Sequence, residues 1–310
     1  MKAIVTGGAG FVGSNLAITL EERGARVIVI DDFLAGNFEN LKNFNGELLA
    51  QDINKVAWDK LGKIDVIFQQ AALTDTTVSD QKKMMFNNLE GFRKVLNFSV
   101  QHRVKLIYAS SAGVYGNEPA PQREQGPLNP LNIYAFSKYA GDKLAEQAMK
   151  ETKTLIVGLR YFNVFGLGEK HKGKYASMIY QLAEQMKHGK KPRIFHDGEQ
   201  TRDHIYVKDV VEANLKAAKA TRNGIVNIGT GKATSFNRVI EILNEVLETR
   251  LAPDYFDNPY SFYQNSTQAD TTQAEKLTGF KARYSIEEGI HEYLTAFYQL
   301  SPRKKISVKI

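Results

Sequence analysis

The chain of 310 residues has no cysteine, which excludes disulfides, thiolate metal ligands and a cysteine nucleophile, and its six histidines lack any zinc-type spacing, so no metal is expected. A hydrophobic content of 43% and a charged content of 24% are those of an ordinary folded protein, and every apolar run breaks before the ~18 residues a spanning helix needs. With Met1 leading straight into a strand pattern, a cytoplasmic protein without a membrane partner is expected. The net charge of +7 lies partly in the tail Arg303-Lys304-Lys305 and Lys309, and no nucleic-acid module accompanies it, so nucleic acid is not an expected partner.

In chain order, Lys2–Thr6 is an apolar run leading into Gly7-Gly-Ala-Gly10-Phe-Val-Gly13, and Ser14–Arg23 continues with helical periodicity until Gly24. Glycines in a strand-to-helix turn let the backbone approach a pyrophosphate, whose charge meets the N–H groups and positive end of the helix. Gly7, Gly10, Phe11, Val12 and Gly13 are therefore expected to bind a dinucleotide. The next strand, Arg26–Ile30, ends at Asp31-Asp32, where the ribose of such a cofactor needs a carboxylate. A carboxylate there repels the 2′-phosphate of NADP, and residues Phe33–Asn40 hold no basic side chain, so NAD is expected ahead of NADP.

Further strands are predicted at Glu47–Ala50, Ile64–Phe68, Lys105–Ala109 and Thr154–Leu159, with helices around Ser79–Gln101 and Tyr134–Lys150. The alternation predicts the α/β class, with a doubly wound parallel Rossmann sheet. Past Arg160 the pattern loosens: Gly166–Lys174 is rich in Gly and Lys, Tyr175–His188 is helical, and Pro192–Tyr206 mixes short strands with turns. Helices recur at Lys208–Ala220, Ser235–Glu248 and Ile286–Leu300. Residues 1–165 and roughly 203–229 are assigned to the dinucleotide-binding domain, and 166–202 and 230–310 to a second, smaller α/β substrate domain.

In Tyr134-Ala-Phe-Ser-Lys138 a phenol and an ammonium stand one helical turn apart on one face. The charge of Lys138 favours the phenolate of Tyr134 and should draw its pKa from near ~10 toward the range of a working acid/base. Together with Thr6-Gly-Gly-Ala-Gly-Phe-Val-Gly13, Ala109-Ser-Ser-Ala-Gly-Val-Tyr-Gly116, Arg160-Tyr-Phe-Asn163 and Arg202-Asp203, this pair makes the chain resemble the extended short-chain dehydrogenases/reductases. Within them, Asn163-Val-Phe-Gly166 followed by Glu169-Lys-His-Lys172-Gly, and Tyr263-Gln-x-x-Thr-Gln-Ala-Asp270, resemble the ADP-glycero-manno-heptose 6-epimerases.

That resemblance implies an enzyme that oxidises the C6″ alcohol of an ADP-heptose and reduces the ketone from its other face, with a tightly bound, recycled cofactor. It implies that Tyr134 and Lys172 are the two acid/bases, that Lys138 holds the nicotinamide ribose and that Ser111 hydrogen-bonds the reacting oxygen. It further places Asp52 and Ile53 at the adenine, with Ala71, Ala72, Leu73, Val164 and Lys172 along the rest of the cofactor, and Asn88 in a structural role or at the nicotinamide ribose. Asn163, Lys174 and Gln181 would touch the substrate, and Phe195, Arg202 and Tyr263 would hold its ADP moiety. The family commonly uses NADP, from which Asp32 is a departure, and its members form homo-oligomers, often pentamers. A UDP- or GDP-sugar 4-epimerase or dehydratase is the alternative within the same fold, and a non-catalytic nucleotide sensor a further one. Dehydratases usually carry an acid–glutamate pair where Ser111 is here followed by Ala112-Gly113, and sensors typically lose the Tyr or Lys that this chain retains.

Overall fold

The structure is a computed structural model that describes residues 1–75, 80–257 and 264–300. Its centre is a seven-stranded sheet of β1 (Lys2–Thr6), β2 (Arg26–Asp31), β3 (Glu47–Ala50), β4 (Val66–Gln69), β5 (Lys105–Ser111), β6 (Ile156–Tyr161) and β7 (Gly224–Ile228), in the order β7-β6-β5-β4-β1-β2-β3. Every pairing in it is parallel. Strands such as Ala-Ile-Val in β1 are apolar on both faces because helices cover both sides of the sheet. The chain winds outward through β2 and β3, then returns to pair β4 with the other side of β1. This reversal opens a crevice beyond the carboxyl ends of β1 and β4.

The helices are α1 (Phe11–Glu22), α2 (Gln81–Met85), α3 (Gly91–His102), α4 (Ile133–Glu151), α5 (Met178–Lys187), α6 (Val207–Ala217), α7 (Phe236–Leu247), α8 (Thr272–Thr278) and α9 (Ile286–Tyr298). The helix predicted over Ser79–Gln101 is divided: a π-helical turn, Phe86–Glu90, joins α2 to α3. Asn88 lies in that turn and its side chain bonds both the N–H and the C=O of Leu73, at 2.8 and 2.9 Å, so the widened turn holds the segment after β4. Strand β7 was not among the predicted strands. It is short and carries Asn227, whose buried amide serves Tyr115 and Gln122 rather than following an apolar pattern.

Outside the sheet, α5, α7 and α9 pack around Ile179, Leu182, Val239, Leu243, Ile290 and Leu294. Three short strand pairs accompany them: Asn163–Phe165 with His204–Tyr206, Arg193–Phe195 with Asp254–Phe256, and Thr201–Arg202 with Thr234–Ser235. This smaller α/β region faces the carboxyl edge of the sheet, and one cavity of about 820 Å³ is lined from both sides. No helix among the described residues is long and apolar enough to cross a membrane.

Candidate active site

The glycine turn forms the floor of that cavity. Gly7 has φ +66°, and a Cβ there would lie 2.6 Å from the N of Ala71; one on Gly13 would lie 2.1 Å from the carbonyl of Gly7. Only glycine therefore lets β1, β4 and α1 meet so closely. No side chain caps the start of α1 and no acidic residue occupies its first turn, so the N–H groups of Phe11 and Val12, which line the cavity, are left without a side-chain cap. Asp31 is buried, and its oxygens accept from Ala9 N–H and Phe33 N–H, each at 2.8 Å. Burial raises its pKa, and those two backbone bonds oppose the rise. Asp32 is exposed on the cavity wall and accepts from Leu34 N–H. The two neighbours thus differ: Asp31 is engaged in holding the turn, while Asp32 is the more exposed carboxylate on the cavity wall.

The Tyr134–Lys138 pair stands on α4, whose start is fixed by Asn132 Oδ1 accepting from Ala135 N–H at 2.8 Å. Tyr134 and Lys138, both lining the cavity, follow in its first two turns; Lys138 Nζ lies 6.0 Å from the Tyr134 ring centre and donates to Ala109 O at 2.8 Å. Ser111, at the end of β5, hydrogen-bonds the phenol and also accepts from Gly113 N–H. In the protein alone burial pushes Tyr134 up, against the pull of Ser111, instead of down as the Lys138 charge was expected to do. Burial also drops Lys138 to about 8, opposed by the negative charge of Asp142. Desolvation outweighs the pairwise attraction because both groups sit at the base of a closed crevice.

Asp142, one turn beyond Lys138, was not singled out from the sequence. It is fully buried, accepting from Tyr108 Oη at 3.0 Å and Arg160 Nε at 2.9 Å. Arg160 also donates to Tyr115 Oη, which donates to Asn227 Oδ1. The available signal was the spacing 134, 138, 142 on one helical face.

Lys172 comes from the segment after the strand Asn163–Phe165, where Lys170–Tyr175 is a 3₁₀ stretch kinked at Gly173 with φ +53°. Its Nζ lies 5.8 Å from the Phe11 ring centre, and it lines the cavity that holds Tyr134. Burial lowers its pKa, opposed by Glu169. Glu169 is wholly buried and accepts from Gly166 N–H, Ser177 N–H and Ser177 Oγ at 2.9, 2.6 and 3.1 Å. Asn15 Nδ2 donates to Leu167 O and Asn40 Nδ2 to Gly168 O, sewing the segment onto the glycine turn. Glu169 stands at the head of the Glu169-Lys-His-Lys172 motif but was given no role of its own from sequence, and Asn15 and Asn40 belong to no motif there.

At the far end, Asn163, Val164, Lys174, Gln181, Phe195 and Arg202 line the cavity, as do Ile53, Ala71, Ala72 and Leu73 nearer the cofactor floor. Phe195 packs across Phe256 at 4.8 Å, and the Arg202 guanidinium lies 5.8 Å from the Phe236 ring centre. Gln181 Nε2 donates to Ala176 O. Asp203 accepts from Thr230 N–H and Oγ1, Gly231 N–H and Ala269 N–H, so its carboxylate ties three segments together. Asp52 and Asn88 do not line the cavity: Asp52 caps Asn54 N–H, and Asn88 acts from beneath through Leu73. Tyr263 lies outside the described residues. His171, Gln200, His204 and Phe236 also line the cavity and were missed from sequence: His171 lies within the Glu169–Gly173 motif but was given no role, and the other three belong to no recognised spacing. Among the described residues no three His, Asp or Glu side chains are grouped to hold a metal.

A doubly wound sheet with a glycine turn at its switch point and a Tyr–Lys pair on the crevice defines a nicotinamide-dinucleotide enzyme of the short-chain dehydrogenase/reductase type. More narrowly, the chain belongs to the NAD dependent epimerase/dehydratase family, whose profile matches residues 3–229. It is similar to the Helicobacter pylori ADP-L-glycero-D-manno-heptose-6-epimerase, with 39% identity over 96% of each chain and a TM-score of 0.90. The Methanobrevibacter ruminantium UDP-N-acetylglucosamine 4-epimerase, in complex with UDP-N-acetylmuramic acid, is 30% identical over 96% of this chain and 98% of its own, with a TM-score of 0.91. The Thermotoga maritima UDP-glucose 4-epimerase, with UDP-glucose, is 31% identical over 96% and 99%, with a TM-score of 0.89.

Proposed function

We propose that the chain is a nucleotide-sugar epimerase that interconverts ADP-D-glycero-D-manno-heptose and ADP-L-glycero-D-manno-heptose at C6″. The observation that carries this reading is Lys172, a half-buried amine held on the same cavity as Tyr134 by a segment built around Glu169. The identity to the heptose epimerase supports it.

The residues fit a nicotinamide dinucleotide: the uncapped start of α1 matches a pyrophosphate and Asp32 matches a ribose diol. When bound, such a group would supply a reversible acceptor for the hydride of the alcohol carbon. Asp32 opposes a 2′-phosphate by charge, which favours NAD. Lys138 would hold the nicotinamide ribose, and Ser111 would donate to the reacting oxygen alongside Tyr134. Inverting a secondary alcohol places its oxygen on different sides before and after, so a single acid/base serves only one of the two epimers. Tyr134 serves one and Lys172 the other, each taking the proton in one direction and returning it in the reverse. Burial lowers the pKa of Lys172, which makes the neutral amine accessible as a base.

The test is incubation with ADP-D-glycero-D-manno-heptose and, separately, UDP-glucose, following C6″ and C4″ configuration by NMR. Exchange at C6″ of the ADP-heptose is expected, with Lys172→Met slowing it at least ~100-fold in both directions. Turnover of UDP-glucose alone would replace this reading by the 4-epimerase one, which the UDP-sugar neighbours favour. Unchanged rates for Lys172→Met would remove the second base.

A further inference from the structure

Two polar side chains on the cavity wall have no protein partner among the described residues for atoms that are fully buried. Both ring nitrogens of His204 and Oε1 of Gln200 are in this position, while Gln200 Nε2 donates to Phe195 O. The residues are only 4% and 8% exposed, and both line the cavity. The His204 ring stands edge-on to Phe165 and Phe236, at 6.5 and 6.0 Å between ring centres, so aromatic walls fix its plane. Gln200 is tied to the same wall, its backbone carbonyl accepting from Phe236 N–H. His204 is register-paired with Asn163, which also lines the cavity. Burial and the neighbouring Arg202 hold the imidazole down to about 3, so it is neutral, with one donor and one acceptor nitrogen.

Leaving such atoms bare in a closed site costs stability, which is tolerable when a ligand satisfies them. A diphosphate offers only acceptors and answers only the imidazole N–H. Gln200 Oε1 and the second imidazole nitrogen need donors, which hydroxyl groups supply while also accepting. We propose that Gln200 and His204 form a hydroxyl-recognising subsite for the substrate, separate in chemistry from the charge that Arg202 offers to phosphate. This deepens the nucleotide-sugar reading above and rests on it. The hydroxyls come from either the transferred sugar or the nucleoside ribose.

His204→Phe removes both orphaned nitrogens while keeping an aromatic ring between Phe165 and Phe236. The full chain carrying its cofactor is titrated calorimetrically with ADP-heptose and with ADP. A loss of about tenfold or more with ADP-heptose, and none with ADP, assigns the subsite to the sugar hydroxyls; equal loss with both assigns it to the ribose. Dissociation constants within about twofold of the unaltered chain for both ligands would overturn the proposal. The melting temperature of the ligand-free variant should stay level or rise, since the substitution removes no protein hydrogen bond. Should it fall by several degrees, Gln200→Met, which leaves the imidazole in place, carries the same affinity test. If the unaltered chain binds UDP-glucose and UDP but neither ADP ligand, the heptose reading fails, and the subsite is judged on the UDP pair.

Discussion

At the scale of single residues, the proposed reaction turns on how burial sets the protonation of Tyr134 and Lys138. Replacing Tyr134 by Phe should lower kcat by about 10²–10⁴ and leave NAD affinity near its original value, read by steady-state kinetics and nucleotide titration. Lys138 titrates near 8 under burial and is held up by Asp142, so its ammonium is lost as pH rises through that value. Removing the Asp142 charge with Asp142→Asn takes away a stabiliser of the ammonium and lowers the Lys138 pKa further. The alkaline limb of the kcat/KM profile should therefore move to lower pH; a limb that stays in place would separate it from Lys138. The pair was legible from its spacing, but its electrostatics were not, because desolvation depends on what covers the helix.

At the scale of elements, the segment from Gly166 to Ser177 is ordered by one buried carboxylate. Glu169→Ala strands the N–H groups of Gly166 and Ser177 and opens a void, and should cost about 2–4 kcal/mol in denaturant unfolding. Turnover should fall alongside, since Lys172 rides on that segment. The turn at Phe86–Glu90 offers a parallel case, in which Asn88→Ala releases both backbone groups of Leu73. It should cost about 1–3 kcal/mol and weaken cofactor binding although Asn88 does not line the cavity, which cofactor titration of the variant checks. Helical periodicity over Ser79–Gln101 concealed this division, because the widened turn is tied to the segment after β4, 15 positions away. Strand β7 escaped for a related reason: its polar Asn227 is satisfied by distant groups.

At the scale of the molecule, Arg160 is the buried tie between sheet and helices. Its guanidinium joins β6 to α4 through Asp142 and to β7 through Tyr115 and Asn227. Arg160→Met leaves Asp142 buried without its counter-charge and should destabilise the fold by about 3–5 kcal/mol, measured by urea unfolding. In the double variant with Asp142→Asn the cost should be less than the sum, because the same pair is lost once. Alternating apolar runs, three glycines and the Tyr134–Lys138 spacing were enough to determine the sheet class, the cofactor floor and the type of chemistry. These rest on local rules: backbone conformation, strand and helix period, and the reach of neighbours on one helix. The tertiary structure alone decided that Asp31 serves the turn while Asp32 stands exposed on the cavity wall, that Glu169 orders the segment carrying Lys172, and that Gln200 Oε1 and both His204 ring nitrogens have no partner among the described residues. Each of these depends on which distant groups share a buried space, and burial sets both the pKa of a side chain and the cost of leaving it without a partner.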